Sequence, residues 1–205
     1  MKNILFKTII ILGFVGVFLT INSCSNDFVE QSPQYSTDSE NYFNSEEDYY
    51  LALVAAYDLL QPTYQNVIVG EIASDNTLCG GESPTDVIGW QQIDDMIHSP
   101  VNSNLHEIWS LMFAGDNGCN YFMEFKDKTN FDGKEQMIGE IKFLRAYYHF
   151  ELVKWFGGIT MKVDQRFKLG DERSIPRSST DAVYAQIEAD LLDAVEVLPE
   201  VPQQQ

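Results

Sequence analysis

Basic residues are scarce in this sequence: 13 Lys and Arg stand against 31 Asp and Glu in 205 residues, a formal net charge of −18. A surface of that sign repels phosphate, which argues against nucleic acid as a partner and against a polybasic grip on anionic lipid. Histidine is scarce as well. His98, His106 and His149 form no HExxH motif, no Glu-x-x-His pair and no Cys/His metal spacing. Gly-x-Ser-x-Gly and a phosphate loop are also missing. A two-carboxylate glycosidase pair is recognised only by geometry, and with 31 acids its formal availability carries no information. Asp94 and Asp95 lack the spacing of a calcium loop and read as solvated surface. The chain therefore reads as a non-enzyme with no metal and no cofactor. No alternating run is long enough for a strand, which excludes a sheet protein.

Long apolar runs are limited to one. Ile9–Ile21, "IIILGFVGVFLTI", is 13 residues without a charge, behind Lys2 and Lys7. A membrane-crossing helix needs roughly 20 apolar residues, whereas about 10 to 14 is the length of a signal-peptide core. The run ends at "Ile21-Asn22-Ser23-Cys24", with a branched apolar residue at −3, a small one at −1 and Cys at +1. This resembles a bacterial lipobox, which makes residues 1–23 a lipoprotein signal peptide and Cys24 the lipidation site. Several acyl chains, each contributing about 0.8 kcal/mol per buried methylene, give a durable anchor. With Lys2 and Lys7 removed, 11 basic residues face 31 acids, a balance of −20. Cys79 and Cys119 remain. Their compartment permits a disulfide, and a buried reduced thiol is the alternative.

Residues 24–44, polar and acidic, read as a tether. Ser45 with Asp48 forms a capping box for a first helix with apolar positions Tyr50, Leu53, Val54, Tyr57 and Leu60, stopped by Pro62. Residues 63–102, rich in Gly, Pro, Ser, Asp and Asn, predict a long irregular region with at most short helices. A second helix is expected from Leu105 to about Lys126, with Leu105, Ile108, Trp109, Met112, Phe122 and Phe125 facing the core and "AGDNG" at 114–118 weakening its middle. A third covers Lys134 to Phe156 through Met137, Ile141, Leu144, Tyr148, Leu152 and Trp155. A fourth runs from a capping box at Ser178 and Asp181 through Val183, Ile187, Leu191, Val195 and Leu198 to Pro199. Tyr147, Tyr148 and Trp155 read as core at helical spacing, and Arg145 as paired with an acid on a neighbouring helix. These elements predict an all-α fold over 45–199 in which antiparallel helix pairs stack. The Pro- and Gln-rich 200–205 reads as a linker or a truncated end.

Five segments in order carry a resemblance: "SCSNDFVEQSP" at 23–33, "ENYFNSEEDYYLALVAAYDLLQ" at 40–61, Trp109 followed by Asn120, "EIKFLRAYYHFELVKWFGGIT" at 140–160, and "IPRSSTDAVYAQIEADLLDAVEVLP" at 175–199. Together they are similar to the N-terminal part of the SusD/RagB family of outer-membrane lipoproteins of Bacteroidota. The family usually carries Pro and an aliphatic residue where Thr160 and Met161 follow "FGGI" here. Its members are much longer, so the resemblance implies a truncated chain. It further implies tetratricopeptide-like helical repeats with long loops, a location on the cell exterior, and a partner in a SusC-like TonB-dependent receptor that accepts captured oligosaccharide or another nutrient. Asp27 and Glu30 are similar to the family's surface-export signal.

Sugar binding needs aromatic faces for the ring and amides or carboxylates for hydroxyls. Asp75, Asn76 and Trp90 lie where the family often begins its ligand platform. Trp90 is the candidate stacking residue and Asn76, with Asp75 beside it, the hydroxyl partner. Against this stands Trp90 as a core residue, since most tryptophans are largely buried. A second functional reading is a lipid-anchored helical-repeat scaffold that binds only proteins.

Overall fold

The computed structural model describes residues 41–83 and 85–200. The signal peptide with Cys24, most of the tether and the 201–205 end lie outside the described residues. The chain divides into two units, Met1–Tyr42 and Phe43–Gln205, and the architecture below is that of the second. Among the described residues there is no strand. The elements are α1 (Glu46–Asp58), a 3-10 turn (Gln61–Thr63), α2 (Tyr64–Ala73), α3 (Ile88–Asp94), α4 (Ser103–Glu124), α5 (Lys134–Phe156), a second 3-10 turn (Asp171–Arg173) and α6 (Thr180–Val197). The all-α expectation holds. α5 packs between α4 and α6, α1 lies on α4 and α5, and α3 bridges α2 to α4. No helix among the described residues is long and apolar enough to cross a membrane.

The Ser45 capping box forms as predicted: Asp48 N donates to Ser45 Oγ at 3.3 Å, and Ser45 N donates to Asp48 Oδ2 at 2.9 Å. The buried face of α1 is not the predicted one, however. Tyr49, Leu53 and Ala56 are buried, while Tyr50, Val54 and Tyr57 are exposed. Aromatic packing decides this. Tyr49 meets Phe43, Phe122 and Phe131 with ring centroids 4.8, 5.2 and 5.1 Å away, and its hydroxyl donates to Phe125 O at 2.6 Å. Tyrosine can be buried at little cost when its hydroxyl finds such a partner. Phe43, placed in the tether by the sequence, is fully buried in this cluster. Tyr57 stays outside, donating to Glu140 Oε2 at 3.0 Å. Burial first, then the Glu140 charge, pushes its pKa up to about 12.

The irregular region is more helical than expected. α2 spans ten residues and buries Asn66, Val69 and Ile72, a stripe hidden from a search for apolar periodicity because one member is an amide. Pro62 sits in the first turn of the 3-10 segment, where a missing N–H costs nothing.

α4 runs unbroken through "AGDNG". Its polar residues point inward: Asp116 and Asn120 are fully buried, and Asn120 Nδ2 donates to Asp116 Oδ1 at 3.0 Å and to Lys162 O at 3.1 Å. Gly115 leaves room for the Tyr148 ring, whose atoms would lie within 2.6 Å of a Cβ there. Ile108, Met112 and Phe122 are core as predicted, whereas Leu105, Trp109 and Phe125 are only half-buried. α5 matches its predicted bounds and buries Ile141, Leu144, Tyr148 and Leu152; Met137 and Trp155 are half-buried.

α5 ends at Gly157, with φ 70°, a conformation glycine adopts without a Cβ penalty. At Gly158 a Cβ would sit 2.1 Å from Ser178 O, and Ser178 N donates to Ile159 O at 2.8 Å. Ser178 is thereby drawn away from α6, and Ser179 is the actual N-cap, accepting from Ala182 N at 3.2 Å. The buried face of α6 is Val183, Ile187, Asp190 and Ala194; Leu191 and Val195, predicted to face inward, are exposed. Arg145 accounts for this by pulling Asp190 into the α5–α6 interface. The expectation that Arg145 pairs with an acid on a neighbouring helix is met.

Candidate functional site

The predicted ligand residues lie in the turn after α2 and on α3, two helices in contact. α2 ends at Ser74, whose Oγ donates to Glu71 O at 3.2 Å. Asp75 follows at φ 59°, a left-handed conformation that Asp tolerates better than most residues. Asp75 and Asn76 are exposed. The chain returns to α3 through Val87, also left-handed at φ 43° and costly for a β-branched residue. Trp90, one turn into α3, is half-buried. The loop between is pinned by Cys79 N donating to Asp94 Oδ2 at 3.0 Å, so Asp94 is a half-buried fastener, not solvated surface. Among the described residues no hydrogen bond joins Trp90 to Asp75 or Asn76. Cys79 is half-buried here and Cys119 is buried in α4; both are free thiols.

A second feature, which the sequence reading missed, is a cleft of about 530 Å³ between α2 and α5. Tyr64, 69% exposed, stands at its mouth, with Tyr147 and Trp155 on the α5 side. Glu151 crosses its floor, accepting from Lys154 Nζ at 2.7 Å on each oxygen and from Asn66 Nδ2. The Lys154 ammonium lies 5.0 Å from the Trp155 ring centroid, within cation–π range. Burial pushes the Tyr147 hydroxyl pKa up. Asn66 Oδ1 and Trp155 Nε1 have no hydrogen-bond partner among the described residues. Trp155 and Tyr147, read as core, instead form the cleft wall; their spacing matches the core stripe, so only the tertiary arrangement distinguishes them.

Aromatic walls with a carboxylate, an ammonium and an amide suit a polyhydroxylated ring, whose C–H face stacks and whose hydroxyls both donate and accept. Among the described residues no group of three or more His, Cys, Asp or Glu is placed to hold a metal ion. His149 is sealed in the core, with Nε2 3.0 Å from Asp116 Oδ1 but off line for a hydrogen bond.

Comparison with known proteins gives a consistent result. A family model for SusD-like proteins, described as starch-binding and associating with outer membrane, matches residues 27–205. The SusD-like protein P38 of Formosa agariphila is 29% identical over 193 residues, covering 91% of this chain and 36% of that protein. A laminarin-binding SusD-like protein superposes with a TM-score of 0.71 at 26% identity, over 78% of this chain and 36% of that one. The surface glycan-binding protein A of Bacteroides uniformis gives 0.64 at 26% identity, over 74% and 34%. The chain thus spans about a third of the length of these relatives. By the match over residues 27–205 and the shared helical fold, it belongs to the SusD-like family.

Proposed function

We propose that this protein is a surface-exposed, glycan-binding lipoprotein of the outer membrane, anchored through acylated Cys24, which captures oligosaccharide and delivers it to a SusC-like TonB-dependent transporter. The observation that carries this reading is the convergence of aromatic faces and hydrogen-bonding groups in the cleft between α2 and α5. Tyr64, Tyr147 and Trp155 meet Glu151 and Asn66 in the cleft, and Asp75 and Asn76 stand exposed in the turn that follows α2. Trp90 is assigned as a stacking residue, with Asn76 and Asp75 as hydroxyl partners. Capture is non-covalent, so the chain needs no cofactor.

The test is calorimetric titration of the full chain in detergent with laminarin and starch oligosaccharides. Binding that weakens at least about tenfold in Trp90→Ala or Trp155→Ala supports the assignment. Failure of the folded chain to bind any oligosaccharide would reject it. Pull-down from outer membranes, with Cys24→Ala as control, tests the transporter and the anchor together.

A protein-binding scaffold has one observation in its favour: the outer face of α6 exposes Leu192 and Val195, the latter at 77%. Recovery of protein partners by a chain that binds no glycan would select that reading.

A further inference from the structure

A cavity of about 620 Å³ lies where the 98–100 segment, the start of α4 and the end of α5 meet. Trp109 and Phe156, edge to face at 5.0 Å between centroids, form an apolar wall with Pro100. His98, His106 and Arg177 supply its polar groups, and none of its lining residues carries a carboxylate. In a chain with 31 acids and 13 basic residues, that composition sets the cavity apart from the cleft beside α2, where a glutamate lies on the floor.

Among the described residues, Arg177 shares with Lys134 a setting without a carboxylate, each bonded to backbone carbonyls. Lys126, Lys142, Arg145, Lys154, Lys162, Arg166 and Lys168 all lie in ion pairs; Arg177 has no carboxylate partner among the described residues. Its Nε donates to Gly158 O and its Nη2 to Phe156 O. One edge of the planar fork is thus fixed against the carbonyls that end α5, where the helix dipole favours a cation. The guanidinium carries five N–H donors, so donors remain on Nη1 and on the second Nη2 proton. Holding the fork by one edge removes the entropy cost of ordering it for a ligand. Each histidine adds an N–H donor in either protonation state.

We propose that this cavity is a subsite for an anionic sugar unit, a pyranoside bearing a carboxylate or a sulfate. The ring would pack on the Trp109–Phe156–Pro100 wall, and its anionic group would accept from Arg177, which matches such groups in a planar, two-point geometry. The inference rests on the glycan-binding reading above and narrows its ligand class.

The full chain in detergent is titrated with tetragalacturonate, a sulfated galactotetraose and the unsubstituted galactotetraose, in about 0.05 and about 0.5 M salt. Wild type should bind at least one anionic probe about tenfold or more tighter than the neutral one, and high salt should shrink that preference because it screens charge. Arg177→Gln should abolish the preference while leaving neutral binding in place, and Arg177→Lys should retain part of it. Tight binding of the uronate alone identifies a carboxylate, of the sulfated probe alone a sulfate, and of both a general anion; each supports the subsite. If Arg177→Gln melts well below wild type, the wild-type salt dependence decides the matter. Equal binding of neutral and anionic probes, or an unchanged preference in folded Arg177→Gln, overturns the subsite and leaves glycan binding standing. Binding of none of the three, nor of any neutral glucan, overturns both.

Discussion

Arg145 and Asp190 close a two-point pair across the α5–α6 interface, with Nε donating to Oδ2 at 2.8 Å and Nη2 to Oδ1 at 2.7 Å. Their side chains are 2% and 3% exposed. Nη1 donates to Asn120 Oδ1 at 3.0 Å and to Asp164 Oδ1 at 2.8 Å. One guanidinium therefore ties α4, α5, α6 and the 162–164 segment together. Burial opposes its charge, but the two carboxylates outweigh that and raise its pKa further.

Removing Asp190 leaves the buried guanidinium with only the part-exposed Asp164 as a charged partner, and breaking a buried pair typically costs about 3 to 5 kcal/mol. Asp190→Ala should lose stability of that order in a urea melt. Replacing both, as Arg145→Met with Asp190→Leu, should lose much less, because neither buried charge remains and the part-exposed Asp164 keeps Lys126. A single variant within about 0.5 kcal/mol of wild type would show that the pair is not the clamp described.

Asp164 predicts a pH dependence. Desolvation raises its pKa, but hydrogen bonds from Arg145 and Lys126 outweigh it and hold the carboxyl below its usual range. A depressed folded value means stability that is fully present above the unfolded value of about 3.9 and is lost as pH falls through the lower folded one. Urea midpoints should drop between about pH 4 and 2. In Asp164→Asn the drop should be shallower and the stability at pH 6 lower. Asn tolerates the φ of 58° found here, so the backbone is not the variable. Parallel wild-type and variant curves would contradict the assignment.

Gly115→Ala sets two effects against each other. Alanine gains about 1 kcal/mol of helix propensity over glycine, yet its Cβ would sit 2.5 Å from Cζ of Tyr148. Tyr148 cannot easily retreat, being fully buried with its hydroxyl donating to Ala56 O at 2.5 Å. Overpacking of this kind costs about 1 to 3 kcal/mol, so the net change should be destabilising. At Gly118, with nothing within 4 Å of a built Cβ, the same substitution should be neutral or stabilising. Equal thermal shifts for the two variants would refute the packing argument.

The two described thiols should react at different rates. Burial pushes the Cys119 thiol pKa well up and that of Cys79 up as well, but only Cys119 is enclosed by the core. Maleimide labelling at pH 7 followed by peptide mapping should modify Cys79 in the native protein and Cys119 only after denaturation. Comparable native labelling would mean that α4 opens.

Helix positions were largely legible in the sequence, because caps and apolar periods are local: Ser45 with Asp48 starts α1, and α5 keeps both predicted bounds. Faces were less legible. The buried stripe of α2 includes Asn66 and that of α6 includes Asp190, polar residues that an apolar pattern counts as outside. Trp155 and Trp109 failed in the opposite direction, since an aromatic at core spacing gives no sign that it will line a cleft instead of the core.

By itself, the sequence determined the all-α composition, the acidic surface and the resemblance that the family match upheld, since each follows from local pattern or from counting charges. Only the tertiary structure decided which polar residues go inside, that Arg145 gathers its partners from three other segments, and that Arg177, with no carboxylate partner among the described residues, lines the same cavity as Trp109. The reason is physical: a buried polar group is tolerable only if its partner arrives from elsewhere in the chain, and sequence spacing does not contain that distance.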